Sequence, residues 1–115
     1  MTTIDLSYLN SIAAGEQDFV NEILRMFVQH TIPDFNSMKS AYEEKNFTTC
    51  SSFAHKMKSA ISMLGNSEAT ELVSYVEHST KQGATIPPDL AEKVKRLEEV
   101  IHSMSSEINQ RLQTS

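Results

Sequence analysis

The residue best suited to chemistry in this sequence is His55, within the stretch NFTTCSSFAHKMKSAISMLG from Asn46 to Gly65. The stretch is predicted to form a helix, because its apolar residues recur at helical spacing along one face. On a wheel of about 100° per residue, His55 falls on the opposite face, and Lys58 follows one turn later. A neutral imidazole nitrogen is a nucleophile near neutral pH. The nearby lysine would suit an anionic group such as a phosphate.

Small hydroxyl side chains surround this histidine on the predicted helix. Solvent-facing positions usually carry long, charged helix formers, and serine and threonine are weaker choices there because they compete with the backbone for hydrogen bonds. Their small size leaves the imidazole accessible to a second macromolecule. Beside Lys58, the predicted neighbours of His55 are Thr48, Ser51, Ser52, Ser59 and Ser62, and the predicted buried stripe is Cys50, Phe53, Met57, Ala60, Ile61 and Leu64.

Composition narrows the class of protein. The 115 residues suit one domain, 1–115 with a core of about 4–112, which is large enough to fold without a stabilising disulfide or metal. Ten basic residues against 15 acidic ones give a net charge of -5 with no basic stripe, so nucleic acid is not an expected partner. The single cysteine, Cys50, forms no internal disulfide and is predicted to be buried.

No apolar run approaches the roughly 18 residues of a membrane span, and the N-terminus MTTIDLS lacks the features of a signal peptide, so we expect a cytoplasmic protein without a membrane partner. The three glycines lie too far apart to build a phosphate-binding loop. We therefore expect no nucleotide site and no autonomous kinase activity. A protein that handles phosphoryl groups without a nucleotide site of its own must receive them from another protein.

Apolar periodicity predicts helices throughout, with no strand or hairpin signal. The first predicted element is a short helix capped by Asp5 and ended by Gly15. A long helix over 16–45 follows, interrupted by Pro33 near 29–33, and then the helix containing His55. A fourth helix runs from Asn66 or Ser67 to near Gly83, and after a loop over 83–88 the last helix has Pro88 in its first turn and heptad spacing to Leu112. Short links favour an all-α, antiparallel up-down four-helix bundle with a short N-terminal helix.

The motif around the histidine resembles that of the histidine-containing phosphotransfer (HPt) domains of multistep two-component phosphorelays. Their signature is roughly A-H-x-L-K-G followed by L-G. This chain has Ala54-His55-Lys56-Met57-Lys58-Ser59 and then Leu64-Gly65, so that methionine replaces leucine and Ser59 replaces the usual glycine. That glycine allows close approach of a partner. The opening IDLSYL and the proline in the second long helix extend the resemblance to roughly residues 4–110.

The resemblance implies a function. His55 would accept a phosphoryl group on Nε2 from a receiver-domain aspartate and pass it to another receiver, and Lys58 would offset the phosphate charge. Mg²⁺ would belong to the receiver, so no cofactor is expected on this chain. Expected partners are response-regulator receiver domains of a hybrid histidine kinase and of a downstream regulator. The chain itself is expected to be a monomer. The expected docking residues are Ser59, Ser62, Val28 and Ile32.

Two other readings of the sequence stay open. One is a helical interaction module that binds signalling partners without transferring phosphate. In that case, the replacement of the usual glycine by Ser59 would reflect loss of the transfer function. The other is a metal-binding bundle, for which Glu99 and His102 supply only one E-x-x-H pattern, outside the predicted core, so no metal site is expected. His30 and His78 lack a collar of small residues. Some HPt domains direct a glutamine of the following helix toward the phosphate, whereas Glu77, near that place here, would repel one.

Overall fold

The computed structural model describes residues 3–81 and 85–114, and the elements within those ranges are helical. The helices are α1 (Ser7–Ala13), α2 (Gln17–Met26), α3 (Ile32–Glu43), α4 (Phe47–Met63), α5 (Ser67–Thr80) and α6 (Leu90–Thr114). A π-helical turn, Phe27–Thr31, joins α2 to α3, so these two helices form one continuous run. The predicted second long helix is thereby confirmed.

Four long rods pack as an up-down bundle. The α2–α3 run packs on α4, α4 on α5 and α5 on α6, and α6 closes the bundle by packing back on α2 and α3. Short α1 packs on α2, and the molecule measures 46 × 22 × 22 Å. This confirms the predicted all-α four-helix bundle with a short N-terminal helix. Within the described ranges, no helix combines the length and apolar character needed to cross a bilayer.

The π turn accounts for the predicted interruption in the second helical run. Pro33 has no backbone N–H, so the α-helical hydrogen bond to the carbonyl of Gln29 is lost. The chain inserts a wider turn just before the proline, in which the N–H of Ile32 bonds to the carbonyl of Phe27. The helix then resumes on the same face, because Phe27, Thr31 and the following Phe35 are all buried.

Asparagine side chains cap the starts of α4 and α5. The side chain of Asn46 accepts a hydrogen bond from the Thr49 N–H at 3.4 Å, and Asn66 accepts one from the Ala69 N–H at 2.9 Å. Each satisfies a backbone donor that the first helical turn leaves unpaired. The short link between α4 and α5 makes these helices antiparallel neighbours.

Gly65 ends α4 where the N-terminal segment crosses it. Its φ of +70° suits glycine, and a Cβ at this position would lie 2.8 Å from the Asp5 carbonyl oxygen. The crossing is tied down by a 2.7 Å hydrogen bond from the Asp5 N–H to the Leu64 carbonyl. The glycine of the Leu-Gly pair therefore has a packing role. The N-cap of α1 is Leu6, one residue after the predicted cap Asp5, although the Asp5 carboxylate still accepts a hydrogen bond from the Ser7 N–H at 2.9 Å.

The last helix begins later than the sequence suggested. Pro88 was expected in its first turn, but α6 begins at Leu90, because Pro88 and Asp89 form a turn ahead of it and the Leu90 N–H bonds to the Pro87 carbonyl. Gly83, the predicted end of the fourth helix, lies outside the described residues. The heptad of α6 is buried as predicted through Leu90, Val94, Leu97, Ile101, Met104 and Ile108.

Candidate functional site

Helix α4 presents His55 to solvent from the middle of its length. Three-quarters of the imidazole side chain is exposed, at 75% relative accessibility. On the opposite face, Met57 and Ile61 are buried, as the wheel predicts. Ala54, one residue before the histidine, is also fully buried. The histidine is therefore anchored by a packed helix while its ring stays accessible.

The collar of small residues is present with one correction. Thr48, Ser52, Ser59 and Ser62 are exposed around the imidazole. Ser51 was expected there too, but it is only 8% exposed, and its hydroxyl donates to the Glu77 carbonyl at 3.0 Å. The wheel missed this because it carries no information about which flank of α4 packs on α5.

Glu77 of α5 reaches the back edge of the imidazole. Its Oε2 lies 2.6 Å from Nδ1 of His55, and its Oε1 lies 3.3 Å from Nζ of Lys58. The residue is only 6% exposed. Burial alone would raise the pKa of the Glu77 carboxyl, but the hydrogen bonds and charges of His55 and Lys58 outweigh it, so this pKa is lowered from its ordinary value. Glu77 is therefore a carboxylate at neutral pH.

The sequence analysis considered Glu77 only as a charge that would repel a phosphate near His55. The structure adds a second role, because the carboxylate also pairs with His55 and Lys58 of α4. No sequence pattern links Glu77 to His55, 22 positions earlier, because the register of α5 against α4 brings them together. The one available signal was a buried-face position occupied by a charged residue, since a buried carboxylate needs partners.

This geometry fixes the proton on the imidazole. An ionised carboxylate only accepts hydrogen bonds, so Nδ1 of His55 carries the proton that it donates to Glu77. The other nitrogen, Nε2, then presents a lone pair on the exposed edge of the ring. An imidazole in this tautomer, held by a carboxylate, can act as a nucleophile at its exposed nitrogen.

The two lysines beside His55 have different surroundings. Lys58 is about one-third exposed and paired with Glu77, so its ammonium lies beside the site. Lys56 instead reaches across to α3, where its Nζ lies 3.3 Å from Asp34 Oδ1, and it lies 5.9 Å from the centre of the Phe53 ring. Lys56 therefore forms an ion pair with α3 on the flank of α4.

Of the predicted docking residues, Ser59 and Ser62 line an open hollow together with His55 and Lys58. Val28 and Ile32 are half-buried against the core. The structure adds an apolar surface that the sequence did not single out. Tyr8 of α1 lines the same hollow and is 55% exposed, and Met26 of α2 is 46% exposed.

The remaining histidines do not line the open hollow around His55. His30, His78 and His102 are exposed, and Glu99 of the E-x-x-H pattern lies 3.7 Å from Arg96. Across residues 3–81 and 85–114, no three histidine, cysteine, aspartate or glutamate side chains converge as a metal site would require. Cys50 is buried as predicted, and burial raises the pKa of its thiol above the ordinary value.

Comparisons with known proteins agree with the fold and the motif. The family model described as Hpt domain matches residues 22–113. Among solved structures, histidine-containing phosphotransfer protein B from Pseudomonas aeruginosa PAO1 superposes with a TM-score of 0.83 at 18% sequence identity, covering 98% of this chain and 96% of that one. A search of curated proteins gave no significant match.

The chain therefore belongs to the Hpt domain family, the histidine phosphotransfer modules of phosphorelays. Members of this family interact with receiver domains. Because the sequence identity is only 18%, the structural match supports the fold alone.

Proposed function

We propose that this protein is a phosphorelay intermediate in which His55 accepts a phosphoryl group from a receiver-domain aspartate and passes it to a second receiver. The observation that carries the proposal is the state of the imidazole. Nδ1 is held by Glu77 at 2.6 Å while the ring is 75% exposed, so Nε2 is the nucleophilic atom offered to a partner. The partners would be the receivers of a hybrid histidine kinase and of a downstream regulator.

The transfer is an in-line displacement at phosphorus. The Nε2 lone pair forms the N–P bond as the P–O bond to the receiver aspartate breaks, and the aspartate leaves as a carboxylate. The proton on Nδ1 stays on the ring, which becomes positively charged. The Glu77 carboxylate, already bonded to that proton, stabilises the charge. The second receiver reverses the sequence by attacking phosphorus with its own carboxylate.

Lys58 is the cation available for the phosphoryl oxygens. Its ammonium lies within 3.3 Å of Glu77 and is partly exposed, so a short rotation of its flexible stem would bring it to a phosphate on His55. The proposal assigns the Mg²⁺ of the transfer reaction to the receiver.

The docking surface is centred on the exposed face of α4 and the apolar side chains beside it. Ser59 and Ser62 permit close approach, and Tyr8 and Met26 provide exposed apolar area for a partner. A shallow apolar groove between the α2–π-turn segment and α4 continues this surface, lined by Ile23, Met26, Phe27, His30, Thr31, Ala60, Met63 and Leu64. Val28 and Ile32 belong to the same helical run and complete the proposed surface.

Transfer from a phosphorylated receiver tests the proposal. Radiolabelled phosphate should move from the receiver to this protein, in a form that is stable to alkali and labile to acid. His55→Gln should abolish labelling, and the matched variant His78→Gln, at another exposed histidine, should label normally. Label retained in His55→Gln would refute the proposal. Receiver binding that is insensitive to His55→Ala, with no transfer, would favour a non-transferring interaction module.

A further inference from the structure

The imidazole of His55 lies between two open hollows of different chemistry. The first, here called the Ser59 hollow, is lined by Tyr8, His55, Lys58, Ser59, Ser62 and Met63. The second, the Glu77 hollow, is lined by Thr48, Ser51, Ser52, His55, Glu77 and Lys81. A phosphoryl group on the ring must lie nearer to one of them.

Charge and ring geometry favour the Ser59 hollow. The Glu77 carboxylate lines the other hollow and holds Nδ1, and it would repel the phosphoryl dianion. Nε2 lies on the far side of the ring from that contact. The lining of the Ser59 hollow includes the Lys58 ammonium and no carboxylate. Its volume of about 650 Å³ accommodates a phosphoryl group.

The hydroxyl groups around the histidine differ in how they are used. Ser51 donates to the Glu77 carbonyl at 3.0 Å, Ser52 to the Thr48 carbonyl at 3.2 Å, and Ser62 to the Lys58 carbonyl at 2.9 Å. Within the described part of the chain, the Ser59 hydroxyl makes no hydrogen bond, although it is exposed one turn after His55. Ser59 is thus the serine of this face whose donor is available to a ligand.

We propose that the Ser59 hydroxyl donates a hydrogen bond to the phosphoryl group carried on Nε2 of His55. Ser59 is then a positioning residue that stabilises the phosphorylated state. This inference rests on the proposed function, and it assigns a role to the serine that replaces the family's glycine. In a loose transition state for P–N cleavage, the departing phosphoryl group carries less charge than the ground-state dianion. A donor to its oxygens therefore slows spontaneous hydrolysis.

The lifetime of the phosphohistidine in the absence of any partner tests this inference. The full chain is phosphorylated with phosphoramidate, a small phosphoryl donor, and after its removal the loss of phosphate is followed by intact-protein mass spectrometry. We expect Ser59→Ala to shorten the half-life about three- to tenfold, the range for an exposed hydrogen bond to a charged group. Ser59→Thr, which retains the hydroxyl, should restore most of it. The matched control Ser52→Ala should keep the wild-type half-life, because that hydroxyl already serves a backbone carbonyl on the Glu77 side.

The outcomes separate this inference from the proposed function. If the wild-type protein and His55→Gln take up the same phosphate, or neither takes up any, the proposed function fails. If His55 is phosphorylated but Ser59→Ala decays at the wild-type rate or more slowly, only the role of Ser59 is refuted. A half-life shortened equally by Ser52→Ala would also refute it. Both alanines favour helix, and circular dichroism checks that each variant is folded.

Discussion

Replacing Glu77 with glutamine should weaken the nucleophile without removing it. Glutamine keeps the size of the side chain and one acceptor oxygen but loses the charge that faces Nδ1 of His55 at 2.6 Å. A hydrogen bond to a charged group is worth roughly 1 kcal/mol more than a neutral one, and the exposure of the imidazole keeps the difference near the low end. Since 1.4 kcal/mol corresponds to a factor of ten, the expected effect is about fivefold.

This effect should appear in two independent measurements. The ratio of the Nδ1–H to the Nε2–H tautomer, read from the ¹⁵N shifts of the His55 ring, should fall about fivefold because the carboxylate no longer favours the proton on Nδ1. The initial rate of phosphorylation by phosphoramidate should fall by a similar factor, because the ring becomes positive as the N–P bond forms.

A matched substitution on the same helix controls for the loss of one negative charge. Glu71 of α5 is exposed, so Glu71→Gln should change neither the tautomer ratio nor the rate. Thermal unfolding shows whether Glu77→Gln remains folded under assay conditions. A folded Glu77→Gln protein with wild-type tautomer ratio and phosphorylation rate would refute the role assigned to Glu77.

Three further predictions concern stability, pH and docking. Gly65→Ala should destabilise the fold by about 2–3 kcal/mol in urea unfolding, because alanine would adopt a left-handed backbone and its Cβ would clash with Asp5. A urea midpoint equal to that of the wild type would contradict this account. The pKa of the Glu77 carboxyl is lowered in the folded state, so its contribution to stability is fully present above the ordinary pKa of 4.5 and is lost as the pH falls through the lower folded pKa. The difference in unfolding free energy between wild type and Glu77→Gln should therefore shrink in acid. A difference that grows in acid would contradict this prediction. Met26→Ser should weaken receiver binding several-fold, by calorimetry, while leaving phosphorylation by phosphoramidate unchanged, and equal binding would remove Met26 from the docking surface.

Much of the fold was predictable because the apolar spacing is regular. The heptad of α6, the Asn46 and Asn66 caps and the interruption before Pro33 all follow from local rules, and each is present. Where the structure differs, as at the start of α6, the difference is two residues at a helix end. Such ends depend on turn geometry that periodicity does not specify.

The candidate site was only half predictable. Exposure of His55 follows from its position opposite the buried stripe, which is a property of α4 alone. The contact with Glu77, the burial of Ser51 and the placement of Tyr8 depend on how α5 and α1 pack on α4. These are tertiary relationships between residues far apart in sequence, so no helical wheel contains them.

The most direct test of the central claim is to locate the phosphorus on the protein. The chain, labelled with ¹⁵N in its histidines, is phosphorylated by a phospho-receiver and observed by ³¹P and ¹⁵N NMR at alkaline pH. We predict a one-bond coupling between phosphorus and Nε2 of His55, with the other histidine rings unchanged. Phosphorus bonded to Nδ1 of His55, or to His30, His78 or His102, would contradict the account.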